Sequence, residues 1–180
     1  MFAAQEPPTY TSIVQRTSFK DEECPIARAL EHVGEWWSML ILRDAFQGRT
    51  RFDEFQKSLN IAPNMLTRRL RALVESGLLE PRTVGPGGRR RSYHLTARGH
   101  DFWPVLVALH DWSASHYQAP APATRLVDRA TGAPVETILV ERSTGRPISQ
   151  LTHRFAPAPG ASPATRAYLG ADPGPEAPGA

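Results

Sequence analysis

The sequence predicts a mainly α-helical fold with a small β component. Three observations in its 180 residues carry that prediction. Apolar positions recur at helical spacing from residue 25 to about residue 117, punctuated by Gly34, Gly48 and the turn before Pro63. A strand-like run at residues 78–84 meets a glycine-rich, arginine-bearing tip at residues 85–91 and returns through residues 92–95. Charge is one-sided: from Pro63 to Arg98 there are eight arginines against two carboxylates, Glu75 and Glu80. A merely solvated surface mixes its signs. Arginine gathered on one helix and the hairpin beside it points to a polyanion partner.

The elements follow in order. Residues 1–20 read as an N-terminal arm. Acidic residues 21–23 and Pro25 start a first helix, since carboxylates suit its positive end and proline its first turn. Ile26, Ala29, Leu30 and Val33 give it an apolar stripe, and Gly34 ends it. Residues 36–46 are apolar almost all round, which predicts a central buried helix. Residues 51–59 form a short amphipathic helix with Phe52, Phe55 and Leu59 inward, and residues 60–64 turn the chain. In the next helix Leu66, Leu70 and Leu73 make the buried stripe. At 100° per residue Asn64, Arg68 and Arg71 fall on the opposite face, with Thr67 at its border. Arg69 lies nearer the buried side, where its stem covers the core.

Beyond the hairpin, Thr96 is placed to cap another helix. That helix runs to about Tyr117 with a kink at Pro104. Its apolar face, Phe102, Leu106, Leu109 and Trp112, is wider than one small domain covers, which predicts packing against a second subunit. Residues 118–123 are a linker. Asp128 to Val135 is then echoed thirteen residues later by Glu141 to Ile148, around a strand-like run at residues 136–140. Two equivalent turns joined by a strand describe a short C-terminal β-hairpin extension. From Ala156 the chain is rich in proline, alanine and glycine, a composition expected to be disordered. The expected organisation is an arm (1–20), a main domain (21–118), a linker with the hairpin (119–155) and a tail (156–180).

Composition narrows the function. The chain is 41% hydrophobic with a net charge of +3, so the clustering of charge matters more than its sum. Cys24 is the only cysteine, which excludes an intrachain disulfide and a four-cysteine zinc site. The start lacks a basic, then apolar, secretory signal. No apolar run approaches the roughly 18–20 residues that span a bilayer. A cytoplasmic protein without a membrane partner is expected. The six histidines show no ligand spacing with a partner acid, and Cys24 has no recognisable base, so no enzyme, cofactor or metal is expected. No Gly-Lys-Ser/Thr follows the glycine-proline tip, which excludes a P-loop.

A basic helix beside a basic hairpin is the layout of a winged helix-turn-helix, which reads double-stranded DNA. The order and spacing of Cys24 to Arg28, Gly34 to Trp37, Leu40 to Asp44 and Arg51 to Phe55 strengthen the reading. They are followed by Ile61, Leu66, Arg69, Leu70, Leu73, Gly77, Leu78, Tyr93, Leu95, Thr96 and Gly99. Over about residues 15–117 the chain resembles the HxlR-type transcriptional regulators, a winged-helix family similar to the MarR group. The resemblance implies a cytoplasmic homodimer, paired through the N-terminal helix and the helix after the wing, that acts on near-palindromic operators. The extension resembles one whose turns are Cys-x-x-Cys-Gly zinc knuckles. Here Asp128, Thr131, Glu141 and Thr144 stand at the ligand positions; threonine is no zinc ligand, so a metal-free hairpin is expected.

The expected base-reading residues are Asn64, Thr67, Arg68 and Arg71, with Arg89, Arg90 and Arg91 of the wing on the backbone or the minor groove. Cys24 is the candidate sensor of oxidants or electrophiles, a role the resemblance implies, although residues 21–23 disfavour its thiolate. Trp36, Trp37, Trp103 and Trp112 read as core and interface packing in preference to a small-molecule effector pocket. The alternative function is a protein-interaction module of the same fold without specific DNA binding.

Overall fold

In a computed structural model, residues 18–84, 90–117 and 124–170 are described. The arm up to residue 17, the wing tip with Arg89, the linker and the last ten residues lie outside the described residues. The order is α1 (Pro25–Val33), α2 (Trp36–Phe46), α3 (Phe52–Leu59), α4 (Pro63–Glu75), β1 (Leu79–Val84), β2 (Arg90–Leu95), α5 (Ala97–His100), α6 (Trp103–His116) and α7 (Pro163–Gly170). The mainly helical fold with a small antiparallel β-ribbon stands as the sequence predicts.

The core forms where the apolar stripes meet. Ile41 and Leu42 of α2, Phe55 of α3, and Leu66, Leu70 and Leu73 of α4 are all fully buried, and Leu78 and Leu79 close the cluster from the ribbon side. Asn60 ends α3 in the left-handed region at φ 49°, a conformation asparagine tolerates better than most residues. The chain then needs only Ile61 and Ala62 to enter α4, where Pro63 occupies the first turn. Such a tight helix-turn-helix fixes how α4 projects from the domain.

β1 and β2 pair antiparallel, from Leu79 opposite Leu95 to Val84 opposite Arg90. Arg51 bridges Ser92, and the Tyr93 N–H donates to Thr50 O at 2.7 Å. These contacts add a third, one-residue strand and tie the start of α3 to the ribbon. The Thr96 cap is present: Oγ1 accepts from Gly99 N at 3.0 Å and donates to Gly77 O at 2.6 Å.

Several expectations need correction. The last long helix does not kink at Pro104 but breaks before it, into α5 and α6. Proline lacks an N–H and clashes with the carbonyl four residues back, that of His100, so the helix stops there and restarts with proline in its first turn. Trp36 belongs to the apolar helix yet is 74% exposed. It occupies the first position of α2, outside the packed faces. Ile26 and Leu30 of α1 are also exposed, leaving only Val33 of that stripe buried.

In the extension, residues 136–140 form no regular strand. Two loops are each closed by one bridge, Val127 with Pro134 and Val140 with Pro147. They are true structural repeats. Asp128 N donates to Ala133 O and Glu141 N to Arg146 O, while Gly132 N donates to Asp128 O and Gly145 N to Glu141 O. Gly132 and Gly145 take φ of 69° and 72°, the left-handed turn that favours glycine.

Within the tail expected to be disordered, residues 163–170 instead form α7. Ser162 Oγ accepts from Thr165 N at 3.1 Å, and Pro163 opens the helix. Glu23, next to α1, accepts from Ser162 N at 3.2 Å and from the Thr165 hydroxyl.

Candidate nucleic-acid interface

The face of α4 opposite its leucines is open. Asn64, Thr67, Arg68 and Arg71 are all exposed, while Leu66, Leu70 and Leu73 are sealed beneath them. Local hydrogen bonds set what each side chain can offer. Asn64 Oδ1 accepts from Met65 N at 2.7 Å, leaving its amide hydrogens outward. Thr67 Oγ1 donates to Pro63 O at 2.8 Å, so its hydroxyl faces outward as an acceptor. Arg68 makes only a 3.8 Å contact with Met65 Sδ and has no acidic partner among the described residues. Arg71 donates to Glu75 at 2.7 Å one helical turn on. That pair is well exposed, and such pairs contribute about 0.3–0.5 kcal/mol, so exchanging Glu75 for a phosphate or a base edge costs little.

The arginine cluster is less one-sided than its count implies. Arg69 is buried and bonds Glu35 at 2.9 Å. Arg98 donates to Ser76 O at 3.1 Å, capping the end of α4. Arg82 pairs with Glu80 at 2.7 Å. Arg68, Arg90 and Arg91 remain as guanidiniums without an acidic partner among the described residues. Arg90 and Arg91 lie on β2, not in the tip where the sequence pattern put them, because the ladder extends to Val84 opposite Arg90. Successive strand residues point to opposite faces, so the two arginines leave the ribbon on different sides.

The start of α3 adds groups that the sequence pattern does not single out. Arg51 Nε and Nη2 each reach an Asp53 oxygen at 3.0 Å, and this guanidinium holds the Asp53 carboxyl below its usual range. Glu54 is held low by the backbone N–H groups of Thr50 and Arg51. His94 Nε2 lies 2.9 Å from Ser92 Oγ. The Arg51–Ser92 bridge that brings the start of α3 to Ser92 and His94 spans more than forty positions of chain, so spacing alone does not join them.

The expected dimer face divides. Phe102 and Leu106 are half-buried against their own core. Leu109 and Trp112 are exposed, together with Trp103 and Val105, which sequence spacing did not select. Cys24 is exposed at the N-cap of α1, where its side chain makes no capping bond. Asp128 accepts from the N–H and hydroxyl of Thr131, and Glu141 from the Thr144 hydroxyl, so side-chain hydrogen bonds fill the ligand positions of the two knuckle loops.

Comparison with known proteins agrees with this geometry. The model of the HxlR-like helix-turn-helix family matches residues 32–120. The uncharacterized HTH-type transcriptional regulator Rv3095 of Mycobacterium tuberculosis is 38% identical over 107 residues, 59% of this chain and 68% of that one. The chain belongs to the HxlR-like helix-turn-helix family. Among solved structures, the candidate transcription factor PA1607 is 43% identical to this HxlR-like chain, with a TM-score of 0.72, covering 78% of this chain and 99% of that one. PA1374 of Pseudomonas aeruginosa, also described as a candidate transcription factor, is 48% identical with a TM-score of 0.59, over 81% and 100%. The HxlR-like chain is thus a DNA-binding transcriptional regulator of helix-turn-helix type, not an enzyme. No described helix is long and apolar enough to cross a membrane.

Proposed function

We propose that the protein is a homodimeric repressor that reads a near-palindromic operator through Asn64, Thr67, Arg68 and Arg71, with Arg89, Arg90 and Arg91 holding the flanking DNA. The observation that carries this reading is the polarity of α4: three leucines fully buried on one side and four polar side chains exposed on the other. Arginine can bridge guanine and asparagine adenine, each pair contributing about 1–3 kcal/mol of discrimination. Phosphate contacts supply a salt-sensitive background. The exposed Ile26 and Leu30 of α1 and Leu109 and Trp112 of α6 support pairing of two chains. Their recognition helices would then enter major grooves roughly 34–36 Å apart, giving half-site centres about ten base pairs apart, or a larger multiple of the turn.

Fluorescence anisotropy tests this with DNA from upstream of the protein's own gene, an unrelated duplex and a salt series. Binding to the upstream DNA should persist at salt that releases the control. Arg68→Ala should lose about 5- to 100-fold on the operator and less on the control. Equal loss by Arg68→Ala on both duplexes would reduce Arg68 to a phosphate clamp, whereas equal, salt-labile binding of wild type to both would mean that the operator lies elsewhere or an effector is missing. No binding at low salt would favour the protein-interaction alternative. For the trigger, exposure of Cys24 supports oxidant or electrophile sensing through an intersubunit or mixed disulfide. If diamide releases DNA equally from wild type and Cys24→Ser, Cys24 is not the sensor.

A further inference from the structure

The extension is folded without a core of its own. No residue from 124 to 170 is buried, yet hydrogen bonds fix the backbone of both turn loops. Between the loops, Ile138 and Leu139 are 72% and 64% exposed. Residues 136–140 have the apolar, β-branched composition of a strand and form none. A strand needs a second one to complete its ladder, and none lies beside this segment among the described residues.

The backbone bonds around the segment alternate. Val135 N–H donates to Leu126 O at 3.1 Å, Leu139 O accepts from Ile148 N at 2.8 Å, and Glu141 N–H donates to Arg146 O at 2.8 Å. These odd-numbered residues turn to their own loops. Glu136, Ile138 and Val140 make no backbone–backbone bond among the described residues. Along a strand, alternate residues direct their N–H and C=O groups to the same edge, so these three share an open one. An open apolar edge is a template for another chain. Thr137 ties it to the domain, its hydroxyl donating to Asp111 on α6.

Charge identifies what fits the edge. Glu136 and Arg142 are exposed and make no ion pair among the described residues. They stand three positions to either side of Leu139. Laid antiparallel on a copy of itself about Leu139, the segment sets Ile138 opposite Val140 and each Glu136 opposite the Arg142 of the other copy. A register about Ile138 leaves both charges unpaired.

We propose that residues 136–142 pair antiparallel with the same residues of a second copy, about a two-fold axis at Leu139. Ile138 and Val140 exchange the backbone bonds, and the two Glu136–Arg142 pairs close the ends. Such an interface is isologous, so it satisfies the edge without open-ended growth. The proposal rests on the homodimer reading above only in requiring two chains; it uses neither the α1 nor the α6 apolar face.

Cross-linking of the purified full-length chain in a Cys24→Ser background tests the register. At the axis Leu139→Cys faces itself in a non-hydrogen-bonded pair, with Cβ atoms about 4.5 Å apart, close enough for a disulfide. Ile138→Cys lies about 7–8 Å from its own copy, too far for one. Mild oxidation should therefore link Leu139→Cys chains and leave Ile138→Cys chains single on non-reducing gels. By sedimentation equilibrium, Glu136→Arg should weaken the dimer about fivefold, and Glu136→Arg/Arg142→Glu should restore it. Circular dichroism checks that each variant is folded. A wild-type dimer whose Leu139→Cys variant stays unlinked, and whose Glu136→Arg variant keeps full affinity, overturns this ladder and leaves pairing through α1 and α6 standing. An edge reserved for a different protein gives that same result. Equal linking of the two cysteine variants also overturns the register. Wild type that is monomeric throughout overturns the homodimer reading and this proposal together.

Discussion

Replacing Glu35 by alanine takes from the buried Arg69 guanidinium the carboxylate that lies 2.9 Å from it. The Arg69 side chain is 6% exposed and Glu35 34%. Breaking a buried pair from one side costs about 3–5 kcal/mol, because a desolvated charge loses a compensating partner. Water already reaches Glu35 and takes over part of its task, so the low end, about 3 kcal/mol, is expected. For a domain near a hundred residues each kcal/mol moves Tm by about 4–8 °C, which predicts a fall of about 12 °C or more. Arg69→Met removes the buried charge itself, strands only the better-solvated partner, and should cost less than about 1 kcal/mol. The order of the two variants is therefore diagnostic. Urea and thermal unfolding followed by circular dichroism measure it. A Glu35→Ala change within about 0.5 kcal/mol of wild type, or an Arg69→Met variant weaker than Glu35→Ala, would refute the reasoning. DNA affinity adds a check, since Arg69→Met should keep operator binding that Arg68→Ala loses.

Other predictions concern the cap, a close approach and the extension. Thr96→Val removes both the cap on Gly99 and the bond to Gly77 O, and should cost about 1–2 kcal/mol in urea unfolding. Gly99→Ala would set a Cβ 2.2 Å from the Leu78 carbonyl oxygen, so a loss of about 3 kcal/mol or failure to fold is expected, with wild-type stability the contrary result. The carboxyls of Asp128, held by Thr131, and Glu141, held by Thr144 and His153, sit below their ordinary values of 3.8 and 4.5. A lowered folded pKa stabilises the loops above the unfolded values, and that support is lost as pH falls through the folded ones. NMR of Thr131 and Thr144 should show the loops intact at neutral pH and loosening below about pH 4, with Asp128→Asn abolishing the dependence of the first loop; an unchanged acid profile in that variant would contradict the assignment.

What could be read from the sequence was what periodicity and local chemistry encode. Leu66, Leu70 and Leu73 declared the inner side of α4, and the four polar residues opposite them are exposed as that spacing requires. Thr96 declared its cap because the pattern completes within three residues. Partners distant in the chain were illegible. Arg69 could be placed near the core, but its pairing with Glu35 needs two helices to meet. Arg90 and Arg91 looked like tip residues because charge disguises strand pairing that the opposite strand imposes. α7 was missed for the same reason: its composition signals disorder, and the carboxylate that anchors its start belongs to Glu23.

That anchor has a consequence for the order of assembly. Glu23 and Ser162 are separated by 139 residues, so the clasp is among the last contacts a growing chain can make. Everything that gives α4 its platform is synthesised earlier, and domains generally fold as units during synthesis. The reading head can therefore be finished before the far segment arrives. Closing so long a loop adds only logarithmically to its entropic cost, and a clasp of a few exposed hydrogen bonds opens more readily than the leucine core. The segment held by Glu23 can therefore open without unfolding the leucine core, and proteolysis within α7 should leave a shortened product that still docks on DNA.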